Sequence, residues 1–179
     1  MAEYIRTGNI KLLLCFAFYL AWWVVGFNPW RPIRGLKSGW LLIPAVILGV
    51  LSLCDIWQGL DFSTGLVPGI ALVLGGVASY VILLVISSHK LYRPVTSELF
   101  IIVLWATVAL LETNTLVVLG YISPWLGWIL AALCLVGTAV SLVCYLAFYA
   151  FYGMAAFVDG AIPLVLAGVM TGLITLCAG

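Results

Sequence analysis

Long apolar runs broken by short polar punctuation dominate the chain. A hydrocarbon core roughly 30 Å thick takes about 20 residues of helix, and runs of that order fall near Ile10–Phe27, Gly39–Trp57, Leu66–Ser87, Glu98–Tyr121, Pro124–Tyr149 and Met154–Ala178. The pattern predicts an all-α, polytopic membrane protein, a bundle of six transmembrane helices forming one domain over 1–179. The connections are short and leave no room for a soluble catalytic domain, so any chemistry belongs inside the bundle or at its mouths.

Composition agrees. Hydrophobic residues make up 66% of the 179 and charged residues 7%, with a mean hydropathy of +1.30. A water-soluble domain would have nowhere to bury that much apolar surface, so the bilayer is the solvent. Arg6 and Lys11 ahead of Leu12 to Cys15 mimic a signal peptide, but Trp22, Trp23 and Phe27 occupy the far end where small residues would mark a cut site, and the segment reads as a retained helix. Cys15, Cys54, Cys134, Cys144 and Cys177 are an odd set without C-x-x-C spacing, which reads as packing and not as a redox or metal framework.

Positive charge sets the expected topology. Arg31, Arg34 and Lys37 lie in the first connection and Lys90 and Arg93, beside His89, in the third. In a six-helix chain these connections share a side, cytoplasmic by the positive-inside rule, and both termini then face outward across a plasma (inner) membrane. The second connection, with Asp55 and Asp61, carries no Lys or Arg; Arg6 and Lys11 on the outer tail count against the assignment. Trp30, Trp40, Trp57 and Trp125 at segment ends suit interfacial belts.

Two segments share the pattern F-x-x-G-x-[VI]-P: Phe62 to Pro68 ahead of the third run, and Phe157 to Pro163 in the sixth. Asn28-Pro29-Trp30 and Ser123-Pro124-Trp125 recur at the same offset, and Gly39-Trp40 and Gly127-Trp128 at a slightly smaller one. This suggests two three-helix repeats, 1–89 and 90–179, necessarily inverted because three crossings are odd, with a binding site near the midplane between them. The bland alternative is that Gly, Pro and Trp gather at helix ends for ordinary reasons. A helix beginning at Pro163 would leave Gly153 to Ile162 re-entrant or broken and place Asp159 on that stretch. The reading preferred for Asp159 is a solvated residue in the headgroup region.

Glu112 is the strongest candidate for function. An ionised acid deep in a bilayer costs at least a few kcal/mol, so it is held protonated, paired, or facing water. Along a helix it lies about 21 Å from Glu98 and about 13 Å from Tyr121, too deep to snorkel easily. Its neighbours Thr113, Asn114 and Thr115 are polar, and helical spacing puts Trp105 and Thr115 on its face. Thr115 is expected to bond the carboxyl and Trp105 to wall a cavity, while Asn114 points to a second polar face. The bland alternative is a protonated Glu112 bonded to another helix as an assembly contact. Tyr145, Tyr149 and Tyr152 form a stripe that could line a pathway, though such stripes more often pack. Gly75-x-x-x-Ser79, Gly137-x-x-x-Ser141, Gly168-x-x-x-Gly172 and Ala17-x-x-x-Ala21 permit close helix approach within the bundle or an oligomer.

No membrane lysine suits a retinal, the one histidine cannot supply a bis-histidine haem, and no H-E-x-x-H, G-x-S-x-G or phosphate-binding glycine loop is present. No cofactor, metal or nucleic-acid partner is implied. The expectation is a transport protein, a channel or proton-linked carrier for an unidentified small solute, using Glu112, Thr115, Trp105 and Asn114, with Asp159 and Tyr149 as further contributors. The alternative is a noncatalytic membrane subunit or scaffold, acting as a homo-oligomer or beside a partner membrane subunit. An intramembrane enzyme comes third. Transport calls for a water-accessible cavity reaching Glu112, a scaffold for a dry bundle with an exposed small-residue seam, and an enzyme for a closed pocket of convergent polar groups.

Overall fold

The computed structural model describes residues 1–27, 36–89, 97–148 and 155–179. Its helices are α1 (Ala2–Phe27), the single turn α2 (Leu36–Gly39), α3 (Leu42–Gly59), α4 (Gly69–His89), α5 (Ser97–Val118), α6 (Pro124–Val143) and α7 (Ala155–Cys177), with α6 running into a π-helical turn at Cys144–Phe148. Five of them, α1, α3, α4, α5 and α6, are long and apolar enough to cross a membrane, and α7 contributes a shorter apolar stretch, Ala161–Cys177. The expected six-helix, all-α architecture is therefore present.

Burial separates the helices sharply. In α5, 61% of the spanning window is buried, against 6% in α4, so α5 is the axis of the bundle and α4 a peripheral helix resting on it. α1 packs along α3 and against α7, while α5 is flanked by α4, α6 and α7. One cluster joins Ala2 and Ile5 of α1, Trp105 to Leu116 of α5, Cys134 of α6 and Ile174 and Ala178 of the α7 end. Ala2 and Ala178 thus lie at one end of the bundle, together with the α3–α4 and α5–α6 connections. The connections carrying Arg31, Arg34, Lys90 and Arg93 lie outside the described residues, as does Tyr149; the side chains of Lys37 and Asp159 also lie outside them.

Local chemistry explains the turns at that end. Gly120 adopts φ +76, Tyr121 N–H donates to the Leu116 carbonyl at 2.9 Å and Gly120 N–H to that of Val117 at 3.1 Å. This pair of bonds is a Schellman stop, which needs a residue tolerant of left-handed backbone. Ser123 Oγ then accepts from Leu126 N–H at 3.3 Å and Pro124 opens α6 in the first turn, where its missing N–H is harmless.

Three expectations need correction. α7 starts at Ala155 and carries Pro163 in its interior, so from Ala155 to Ile162 the backbone is helical and not broken. Phe62 to Pro68, by contrast, is a non-helical connection, and the two matched segments differ in backbone form. Of the bundle and oligomer roles expected for the small-residue motifs, close packing inside the bundle is not found at Gly75, Gly168 or Gly172, where a Cβ meets no atom of the described residues within 4 Å, while Gly137 and Ser141 are both buried.

Close approach falls elsewhere. On Gly8 of α1 an added Cβ would lie 2.6 Å from Ile56 Cγ1 and 3.0 Å from the Ser52 carbonyl oxygen of α3. Gly8→Val is therefore expected to prise α1 from α3 and destabilise the fold by about 1–3 kcal/mol, read as a lowered unfolding midpoint in detergent. An unchanged midpoint would show that this helix contact is looser than described.

Candidate functional site

Four consecutive polar residues of α5, Glu112 to Thr115, are all buried, with Glu112 only 2% exposed. A full turn of polar side chains cannot share one face, and each looks in its own direction. Glu112 turns toward α1, where Asn9 Nδ2 donates to its Oε2 at 3.1 Å. Thr113 donates to the Ala109 carbonyl one turn back at 2.8 Å, satisfying itself within the helix. Asn114 and Thr115 turn to the α3–α4 connection.

That connection is tied down by their side chains. Asn114 Oδ1 accepts from Leu66 N–H at 2.7 Å and Val67 N–H at 3.3 Å, and its Nδ2 donates to the Ser63 carbonyl at 3.3 Å. Thr115 Oγ1 accepts from Asp61 N–H at 2.9 Å and lies 3.3 Å from the Asp61 carbonyl as donor. Gly65 permits the approach, because a Cβ there would fall 2.6 Å from Asn114 Oδ1. Irregular backbone near a bilayer needs partners for its N–H and C=O groups, and these two side chains supply them. Asp61 adds a turn of its own, Oδ1 accepting from Ser63 N–H at 2.7 Å. The Ser63 bonds hold the exposed Asp61 carboxyl below its usual range, so this tie is present above the carboxylate range and is lost as pH falls through it.

Trp105 lies on the same helix, with Nε1 donating to Thr171 Oγ1 of α7 at 3.1 Å. It does wall a cavity, of about 410 Å³, lined by Leu12, Cys15 and Tyr19 of α1 and Val46 and Val50 of α3 among others. The walls are almost wholly apolar, and Glu112 is not among them. A smaller cavity of about 40 Å³ beside Trp105 and Pro163 does not reach Glu112 either. The water-accessible space expected of an open pathway is thus not found beside Trp105, and the carboxyl is sealed by helix contacts.

The arrangement therefore brings Glu112, Asn114, Thr115 and Trp105 onto one helix but sends them to four different partners. Thr115 bonds the connection and not the carboxyl. Asn9 is the residue that sequence reasoning missed: the first run was begun at Ile10, yet α1 starts at Ala2 and Asn9 is fully buried. An amide inside the first turns of an apolar helix was the available signal. Thr171, Trp105's partner, is buried as well and was also passed over. Lys11 and Asp55, flanking charges by sequence, lie inside α1 and α3 and pair with each other. Among the described residues no three of His, Cys, Asp and Glu gather as a metal site.

Fold and site together define a multi-pass, all-helical membrane protein with a polar turn locked in its central helix. No protein-family model matches the chain, and neither a curated protein nor a solved structure matches it.

Proposed function

We propose that the protein is a proton-linked carrier of a small solute, described here in a closed conformation, with Glu112 as the titrating group and Asn9 as its partner. One observation carries this reading. Glu112 Oε1 and Asn9 Oδ1 are both buried and have no hydrogen-bond partner among the described residues. A contact serving assembly alone gains nothing from unspent polar atoms, each of which costs about 1–3 kcal/mol when left bare; a site that binds and releases a proton or a polar group needs them. A channel requires an open path to the carboxyl, whereas a carrier presents one in only part of its cycle. Of the channel and carrier expectations, the sealed carboxyl favours the second.

In this proposal Asn114, Thr115 and Trp105 hold the closed form together. Asp159 and Tyr149 remain proposed contributors. The orientation proposed has both termini outside the plasma (inner) membrane, on the strength of the basic residues that the sequence puts in the first and third connections. The two-repeat division at 1–89 and 90–179 is supported by the matching offsets and opposed by the different backbones of its two signature segments. A noncatalytic membrane subunit, as a homo-oligomer or beside a partner subunit, is the second reading. It is favoured by the sealed carboxyl and by the open space beside Gly75 of α4 and Gly168 and Gly172 of α7, which suits a helix interface.

The test is reconstitution in vesicles with an internal pH reporter and a panel of small polar solutes under an imposed proton gradient. The expected result is a solute that accelerates proton entry with wild-type protein and not with Glu112→Gln, which keeps shape and loses the exchangeable proton. A solute carried equally by both, without proton movement, would remove Glu112 from the mechanism.

A further inference from the structure

The unspent atoms at the site belong to one acid and one amide that are already bonded to each other, and they are of the same kind: both are oxygens. An ionised Glu112 would leave Oε1 without a donor and Asn9 Oδ1 facing no hydrogen. Rotating the amide by half a turn exchanges its oxygen and nitrogen and leaves the same shortage of one hydrogen. A single proton on the carboxyl supplies it, making Oε1 a donor to Asn9 Oδ1 while Nδ2 continues to donate to Oε2.

The charges around the pair point the same way. On α6 the Cys134 thiol faces the Ala106 carbonyl of α5 at 3.9 Å and brings no positive charge. On α1 the nearest cation along the helix, Lys11, is engaged with Asp55 of α3. From α7, Thr171 is engaged with Trp105. Among the described residues Lys11–Asp55 is the ion pair found, and Glu112 has no cation against it. A buried carboxylate with neither a cation nor a full set of donors is the costly arrangement, and a neutral acid paired with an amide is the inexpensive one.

We infer that the space between Glu112 and Asn9 is a proton-binding site, occupied at neutral pH, in which acid and amide close a two-bond ring across α1 and α5. Occupancy deepens the reading of the site proposed above and rests on it for any use in transport. The closed form is then the proton-loaded form, and departure of the proton breaks one of the two bonds joining α1 to α5 at this level.

Infrared spectroscopy of the protein in lipid vesicles tests this without any solute, so its failure and the failure of transport read out separately. The expected spectrum at neutral pH contains a carboxylic-acid carbonyl band that is lost in Glu112→Gln. In Asn9→Leu the band persists and moves to higher frequency, because the hydrogen-bond partner is gone. Should either variant fail to fold, carboxyl-labelled glutamate in the wild-type chain moves the band by isotope alone, the only glutamates being Glu3, Glu98 and Glu112. Absence of an acid band at neutral pH, or a band indifferent to both glutamate labelling and Glu112→Gln, would overturn the assignment. A carboxylate band in its place would mean that a water or an ion fills the site.

Discussion

Replacing Asn114 by leucine is expected to be among the most damaging single changes in the bundle, lowering stability by roughly 3 kcal/mol. Leucine is close to asparagine in size and prefers a helix, so neither packing nor propensity accounts for the loss. The damage lies in the connection: Leu66 N–H, Val67 N–H and the Ser63 carbonyl all lose their partner at once. Water at the bundle end recovers part of the cost, which is why the total falls below three full penalties. Thermal unfolding in detergent measures the loss, and proteolysis should locate it between Leu60 and Pro68, whose cleavage rises before the helices melt. A midpoint within error of wild type would mean that the connection holds itself.

The second large effect is a reversal. Asn9→Leu leaves the buried carboxyl of Glu112 alone, and Glu112→Leu leaves the Asn9 amide alone, each at a cost of about 1–3 kcal/mol. Changing both removes the whole polar pair from an apolar contact, which is nearly neutral when shapes are kept. The double variant is therefore expected to be more stable than either single one, with a coupling energy well beyond the few tenths shown by distant sites. Unfolding midpoints of the four proteins give the coupling directly. Additive losses would show that Asn9 and Glu112 act independently and that their 3.1 Å bond is incidental.

How far the sequence could be read follows from what each signal measures. Apolar run length fixes the number of crossings because membrane thickness fixes it, and the helices appear where the runs lie. Run length says nothing about which helix is central. That became visible only through burial, and α4, among the most apolar of the helices, proved the most exposed, since lipid serves an apolar face as well as protein does. Glu112 was legible as an anomaly in hydropathy, yet its partner was not, because Asn9 lies so near the start of α1 that it looked like flanking polarity. Asn114 and Thr115 were recognised as polar at depth but given the wrong task. Their partners are backbone groups of a connection, which leave no trace in residue type.

Glycine misled for a related reason. Gly168-x-x-x-Gly172 has the spacing of a contact seam, but spacing cannot say what stands opposite, and among the described residues nothing lies within 4 Å of a Cβ at either glycine. Close contacts fall at glycines outside those motifs, among them Gly8, Gly59, Gly76 and Gly127; Gly8 and Gly59 lie on different helices, and each is needed because the other helix's backbone or isoleucine comes near. Pro163 was read as a helix start by analogy with Pro68. The carbonyl of Pro68 accepts from Ala71 and Leu72 at the head of α4, while Pro163 sits within a helix that continues through it. In the bilayer interior, neighbouring helices make such a proline tolerable.

The closed carrier is tested most directly by the reactivity of a thiol one turn from Glu112, with the carboxyl itself kept. Buried Ala109→Cys, in a chain whose five native cysteines are replaced, would be challenged with a membrane-impermeant thiol reagent from each side of sealed vesicles, with exposed Thr64→Cys as the reactive control. The account predicts slow labelling that depends on side and changes when a proton gradient or a transported solute is applied. No labelling from either side under every condition, with the control fully reactive, would contradict it and leave a permanently sealed membrane subunit.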